Sequence, residues 1–231
     1  MTLHFAPHVV EIEEQSQQIQ RPKVASGPTK GVYRDKIKRF FDIVATLIII
    51  PIISPVIALM ALIIAFDGHS PFYTQLRVGK NGRIFRIWKL RTMVQNADDL
   101  LEAHLAENPA ARIEWDTTQK LKNDPRITFV GRVLRKTSVD ELPQLLNVLN
   151  GTMSLVGPRP MMVCQQAAYP GKGYYGLRPG ITGPWQVSDR NTVSFSDRAR
   201  YDDEYYQTVS LKTDALLLLR TVSVVVRGTG Y

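Results

Sequence analysis

Cysteine is nearly absent from this chain. Cys164 is the only one in 231 residues, so no internal disulfide can form, and a reducing compartment fits. The four histidines, His4, His8, His69 and His104, are scattered, with no His-x-x-Glu-His motif and no Cys-x-x-Cys pair beside them. That excludes the usual zinc arrangements, and any metal is expected to be Mg2+ on oxygen ligands. There is no internal repeat. Nor does any RRM, KH or zinc-finger pattern accompany the basic residues, which argues against nucleic acid as a partner. The first apolar run lies too far into the chain, and lacks a small-residue cleavage site, to read as a secretory signal.

Positive charge is abundant. A formal net charge of +8 implies an anionic partner such as a phosphorylated metabolite or a lipid headgroup. The length allows one compact domain with appendages. Residues 1–33 are polar and mixed, and read as a flexible tail. Residues 43–66, IVATLIIIPIISPVIALMALIIAF, carry no charge over 24 positions. A straight helix of that length measures about 36 Å, enough for a bilayer core of about 30 Å. Two features argue against a simple span. Pro51 and Pro55 lie near the middle, where each removes a backbone hydrogen bond, and Ser54 is placed to satisfy a freed carbonyl. Basic residues stand on both flanks: Lys30, Arg34, Lys36, Lys38 and Arg39 before, and Arg77, Lys80, Arg83, Arg86, Lys89 and Arg91 after. Positive flanks prefer the cytoplasm, so both ends ask for the same side. The expectation is a re-entrant, monotopic anchor over residues 34–66, broken at Ser54-Pro55, in contact with membrane lipid.

Residues 67–231 read as a soluble domain. Residues 71–78 and 83–93 form two strands around a turn at Gly79-Lys80-Asn81-Gly82. In the second strand, Lys89 or Arg91 is a candidate for phosphate binding. Residues 95–107 form an amphipathic helix ended by Asn108-Pro109. Residues 195–206 form a tyrosine-rich helix, with Asp202-Asp203-Glu204 read as a solvated or salt-bridged face. Residues 211–226 form an amphipathic helix that packs on the domain or lies in the membrane interface. The fold class is α+β, mostly helical.

The stretch that organises the chain is 135–160, RKTSVDELPQLLNVLNGTMSLVGPRP. It sets Asp140 and Glu141 between Arg135 and Arg159. Arginine grips phosphate oxygens in a bidentate fork, and a nearby carboxylate can hold a divalent cation or act as a nucleophile. A structural reading stands beside this one. Ser138-x-x-Glu141 fits a capping box, with Asp140 merely favouring the helix dipole. If Pro143 is instead the first helical residue, both carboxylates lie just outside the helix and face a ligand. Downstream, Arg178-Pro-Gly-Ile-Thr-Gly183 reads as a loop of turns, with Pro179-Gly180 a type II turn.

These segments resemble the bacterial monotopic phosphoglycosyl transferases, the sugar transferases that begin exopolysaccharide assembly on undecaprenyl phosphate. The likeness runs from about residue 36 to the C-terminus. It rests on KRFFD at 38–42, the Ser54-Pro55 break, WKLRTM at 88–93, DPRIT at 124–128, LRKTSVDELPQLLNVLNG at 134–151, SLVGPRP at 154–160 and RPGITGPWQVSDRN at 178–191. The resemblance implies a UDP-sugar and undecaprenyl phosphate as substrates, at the cytoplasmic face of the bacterial inner membrane. It implies that Asp140 attacks the sugar-bearing phosphate, releasing UMP and forming an aspartyl–phosphosugar, which undecaprenyl phosphate then discharges. Glu141 assists, as general base or by holding geometry, and Mg2+ binds near Asp140. Lys89, Arg135 and Arg159 neutralise phosphate oxygens, with Arg178, and Gln186 beside it, in the wall of the nucleotide-sugar site. Galactose or glucose is the expected sugar, and a homodimer is left open. The family's loop often reads Ser-Gly-Arg where this chain has Ser188-Asp189-Arg190. Two rival readings remain: a glycosyltransferase that moves the sugar alone and releases UDP, and a non-catalytic scaffold for polysaccharide assembly.

Overall fold

A computed structural model describes residues 31–118, 121–188, 195 and 197–226; residues 1–30 of the 1–33 tail and the Asp189 departure lie outside them, while Tyr33, at the end of that expected tail, is tied to Asp214 through its hydroxyl. After a π-type turn at Tyr33–Ile37, helix α1 runs over Lys38–Ala65. The interruption expected at Ser54-Pro55 does not appear in the secondary structure, because helical backbone continues through Pro51 and Pro55. The reason is local. Pro55 has no N–H for the carbonyl four residues back, and Ser54 Oγ donates to that same Pro51 carbonyl at 3.3 Å.

Both ends of α1 rest on the domain while much of its middle is bare. Near its start, Arg39 reaches the carbonyls of Val148 and Leu149. Asp42 Oδ1 accepts from Ser154 Oγ and the Leu155 N–H, each at 3.0 Å. Near its end, Ile57, Met60, Ala61 and Ile64 pack in a cluster with Leu90 and Leu134. Between them Ile48 and Ile52 are 61% and 70% exposed. The uncharged run from residue 43 onward, with bare isoleucines, is unfavourable in water at roughly 25 cal/mol per Å2 of apolar surface. It is the one described helix long and apolar enough to cross a membrane.

Strands β1 (Phe72–Val78) and β2 (Ile84–Leu90) form the expected antiparallel hairpin. Its turn contains Asn81 and Gly82 at positive φ, the backbone that Asn and Gly tolerate best. Helix α2 (Ala97–Glu107) stops at Asn108 as read from sequence. The following proline does not open a loop: Pro109 is the first residue of α3 (Pro109–Thr118), a position where its missing N–H costs nothing. Next come α4 (Phe129–Thr137), a 3-10 turn at Val139–Gln144 and α5 (Leu145–Asn150).

Strands β3 (Ser154–Val156) and β4 (Gly180–Thr182) pair in parallel. The type II turn expected at Pro179-Gly180 is therefore a strand entry, and Gly180 is not among the positive-φ glycines. Glycine is required there for closeness instead: a Cβ on Gly180 would meet the Gly157 nitrogen at 2.0 Å.

Helices α6 (Arg198–Thr208) and α7 (Leu211–Val226) close the domain. The face of α6 read as solvated or salt-bridged is partly internal. Asp202 is fully buried and ion-paired to Arg198 at 3.4 Å, and Asp203 accepts the Lys172 and Gly173 N–H groups. Tyr205 and Tyr206 of this helix join Val156, Leu177 and Leu217 in the core.

Candidate active site

Three local devices bring the charged residues of 135–160 to the end of β2. The first ends α4. Thr128 caps its start by accepting the Gly131 N–H at 2.9 Å. Ser138 closes its end in the left-handed region, at φ 57°, with no side-chain cap bond. The capping box read from Ser138 and Glu141 is thus absent. Ser138 reverses the chain out of α4, and Asp140 and Glu141 fall in the 3-10 turn ahead of α5.

The second device is Asn147, 1% exposed. Its Nδ2 donates to the Arg86 carbonyl at 2.8 Å, and its Oδ1 accepts the Trp88 N–H at 3.0 Å. The carboxamide replaces a neighbouring strand on the open edge of β2 and pins α5 there. The third is glycine packing around Gly157. A Cβ there would meet the Arg178 carbonyl at 2.3 Å, so the Gly-Pro-Arg-Pro turn crosses β4 at backbone contact and delivers Arg159.

These devices assemble most of the expected site. Lys89 Nζ lies 2.7 Å from Glu141 Oε1 and 3.8 Å from Asp140 Oδ2. Arg159 Nη2 lies 3.7 Å from the same Glu141 oxygen. Arg135 donates Nε to Thr92 Oγ1 at 2.9 Å and bears electrostatically on Asp140. Arg91, the other strand candidate, is turned away: it pairs with Asp67 and reaches the Ile64 carbonyl at the end of α1. Arg178 is placed elsewhere too. Its Nε donates to the Gly151 carbonyl at 2.9 Å, and it lines a small recess with Arg34, Lys38 and Lys80. Among the described residues, no ion pair joins it to the carboxylates.

The two carboxylates differ in state. Burial pushes Asp140 up; Lys89 and Arg135 pull it down and Glu141 pushes it up, leaving its pKa at about 6. Burial also raises Glu141, but Lys89, Arg159 and Arg77 outweigh it and hold the group at about 2. Glu141 is a fixed anion with its charge already paired. Asp140 is 7% exposed and accepts no side-chain hydrogen bond among the described residues; its contacts are its own backbone N–H and the long 3.8 Å approach of Lys89, so it is held far more loosely than Glu141.

Among the described residues no group of three or more His, Cys, Asp or Glu side chains gathers as a metal cage. The residues still fit Mg2+ as proteins often bind it, through one or two carboxylates with the remaining positions taken by substrate phosphates and water. Asp140 is the carboxylate with oxygens to offer.

Arg77 and Arg198 are the contributors that sequence reasoning missed. Arg77, counted only as a flanking charge, is half-buried and bears on Glu141. Arg198 lies in the helix whose Asp202-Asp203-Glu204 run reads as a solvated or salt-bridged face; it is the salt-bridge partner of Asp202, is 4% exposed and donates to the Arg159 carbonyl. The proline pair around Arg159 was the available signal. A segment with two residues lacking N–H groups needs donors from elsewhere.

Four cations, Lys89, Arg77, Arg135 and Arg159, surround two carboxylates, one of which is spent on holding them. The electrostatics of such a site suit a polyanion held beside Asp140.

Residues 33–228 match the model of the bacterial sugar transferase family. The chain is 46% identical over 196 residues to a UDP-galactose-lipid carrier transferase of Erwinia amylovora, covering 84% of this chain and 41% of that protein. It is 44% identical over 196 residues to the exopolysaccharide production protein ExoY of Rhizobium meliloti, covering 84% and 87%. It is 46% identical over 200 residues to an undecaprenyl-phosphate galactose phosphotransferase of Salmonella typhimurium, covering 84% and 41%. The alignment thus spans less than half of two of these relatives and most of the third.

Proposed function

The chain belongs to the bacterial sugar transferase family, and from that premise we propose that it is a phosphoglycosyl transferase. It moves a hexose 1-phosphate, galactose or glucose, from a UDP-sugar to undecaprenyl phosphate and releases UMP, the first membrane step of exopolysaccharide synthesis. The observation that carries this reading is the contrast within the carboxylate pair. Glu141 is bound by Lys89 and Arg159, while the adjacent Asp140 is buried, has no cation closer than the 3.8 Å of Lys89, and lies in the field of several.

In the first step an Asp140 oxygen attacks the phosphorus that bears the sugar. The Oδ–P bond forms, the bridging P–O bond breaks, and its electron pair leaves with UMP. An oxygen of undecaprenyl phosphate then attacks the same phosphorus, and Asp140 departs as a carboxylate. Splitting the transfer in two lets one nucleophile serve a soluble donor and a lipid acceptor in turn. Attack by an anion on a diphosphate meets like-charge repulsion, which Lys89, Arg135 and Arg159 offset as charge moves. Glu141 holds geometry rather than taking a proton, because a group held at about 2 is a poor base at neutral pH. When bound at Asp140, Mg2+ supplies further neutralisation of phosphate oxygens.

The same reading places α1 in the cytoplasmic leaflet of the bacterial inner membrane as a re-entrant element. Its support is that Arg39 and Asp42 near one end, and Met60 and Ile64 near the other, all contact one domain. A spanning helix would set its two ends on opposite faces of the membrane, where a single domain could not contact both. Exposed Phe129 and Val133 on α4, with Leu219 and Val222 on α7, supply apolar surface for the same interface.

The deciding experiment measures the nucleotide released when purified protein meets a UDP-sugar panel, Mg2+ and undecaprenyl phosphate. UMP is expected with UDP-galactose or UDP-glucose. UDP would mean transfer of the sugar alone and would overturn the role given to Asp140. Absence of both, from folded protein with every sugar, would favour a scaffold.

A further inference from the structure

The Gly-Pro-Arg-Pro turn is held by donors drawn from distant parts of the chain. Pro158 and Pro160 have no N–H, so this stretch cannot build a hydrogen-bond ladder of its own. Arg77, on β1, donates Nη1 to the Pro160 carbonyl at 3.3 Å. Arg198, on α6, donates Nη2 to the Arg159 carbonyl. Just beyond the turn, Met161 gives its N–H to the Tyr174 hydroxyl at 3.2 Å and accepts the Val78 N–H at 3.0 Å.

Arg198 is itself fixed on every side. Its Nε lies 3.4 Å from Asp202 Oδ2, and the Tyr169 hydroxyl donates to the same oxygen at 2.6 Å. Its guanidinium lies 5.7–5.9 Å from the ring centres of Tyr169, Tyr174, Trp185 and Phe195. The Trp185 ring also carries Arg159, at 5.9 Å, so one indole neighbours both guanidiniums.

A buried arginine–carboxylate pair is a poor way to gain stability, since apolar packing of equal volume serves as well or better. What the pair supplies is position. The guanidinium sets one nitrogen against Asp202 as an ion pair without a hydrogen bond and donates from another to the Arg159 carbonyl, a two-point arrangement that a lysine ammonium on a flexible stem cannot reproduce. The Arg159 side chain is 37% exposed, and its contacts among the described residues are long ones, 3.7 Å to Glu141 and 5.9 Å to the Trp185 ring centre. Its aim is therefore set mainly by the peptide from which it springs.

We propose that Arg198 is a positioning residue for Arg159. Tyr169 and Asp202 fix Arg198, Arg198 fixes the Arg159 peptide, and Arg159 is thereby presented to a diphosphate beside Asp140. This rests on the reading of Arg159 as a phosphate-binding group, and it does not depend on which nucleotide the reaction releases.

The test is a double-mutant cycle on the full-length, detergent-purified protein, with inorganic pyrophosphate as the probe and calorimetric affinity as the readout. Arg159→Met is expected to weaken pyrophosphate about tenfold or more, and Arg198→Lys about five- to tenfold. In the Arg159→Met background, Arg198→Lys is expected to add less than about twofold, because the group it positions is gone. A merely structural role would weaken binding equally in both backgrounds, and that result overturns the proposal. So does wild-type affinity in Arg198→Lys, or failure of the wild-type protein to bind pyrophosphate. Should Arg198→Lys not fold, Asp202→Asn and Tyr169→Phe carry the same cycle with the same coupling expected. Nucleotide release is measured in parallel. A wild-type protein that binds pyrophosphate but releases UDP sinks the proposed reaction and leaves the positioning role standing.

Discussion

Replacing Asp140 by asparagine should abolish turnover and, at the same time, make the protein harder to unfold. The carboxyl has a pKa of about 6 in the native protein and about 3.9 in an unfolded chain. The folded-state value is the higher one, so the native protein holds its proton more tightly than the unfolded chain does. Stability therefore falls as pH rises from about 4 through about 6, and the penalty is complete above that range. Two pKa units correspond to about 3 kcal/mol. The group is 7% exposed, so solvent screening removes little of that figure. Asparagine keeps the shape and never ionises, so Asp140→Asn escapes the penalty. At pH 8 it should gain up to about 3 kcal/mol, or about 5–10 °C in Tm for a domain of this size. At pH 4.5 the wild-type carboxyl is itself mostly protonated, and the difference should shrink to about a degree or two. The assay is a thermal melt of both proteins in the same detergent at the two pH values. A variant that melts at or below wild type at pH 8 would refute the reasoning. So would a gain that persists undiminished at pH 4.5, since that could not come from the ionisation of Asp140.

Further outcomes follow from the same geometry. Turnover should fall with pH through about 6 as Asp140 gains its proton, and Lys89→Met should move that acid limb upward and lower kcat by about 100-fold or more; an unmoved limb would separate Lys89 from Asp140. Asn147→Ala removes two buried hydrogen bonds to the edge of β2 and should cost about 2–4 kcal/mol, read by denaturant unfolding. Gly180→Ala places a Cβ 2.0 Å from the Gly157 nitrogen and should prevent folded protein from accumulating, whereas alanine at Gly68, which has open space around it but φ at 82°, should cost only about 1 kcal/mol. Single cysteines at Lys36 and Asn81, in a Cys164→Ser background, should both react with a membrane-impermeant thiol reagent in inside-out vesicles and neither in right-side-out ones; labelling from opposite faces would refute the re-entrant helix.

Where the periodic signal was local, the sequence was enough. The hairpin at 72–90, the helices that became α2, α6 and α7, and the uncharged run of α1 follow from alternation, 3.6-residue spacing and turn chemistry. Those depend only on neighbouring residues. The charged pair Asp140-Glu141 and its partners Lys89, Arg135 and Arg159 were visible as residue types that suit phosphate. What neighbours cannot encode is contact across the chain. Ser138 looked like a helix cap, but the pull of Arg135 towards Thr92 and of Asn147 towards β2 makes it a left-handed helix end instead. Gly180 looked like a turn glycine, but the crossing of Gly157 makes it a strand residue chosen for lack of a side chain. Sequence could not set the charge states of Asp140 and Glu141 apart, because that difference comes from burial and from cations as distant in the chain as Arg77. The residues alone determined which chemistry was available. Folding set the two carboxylates apart, by spending Glu141 on Lys89 and Arg159 and leaving Asp140 more loosely held.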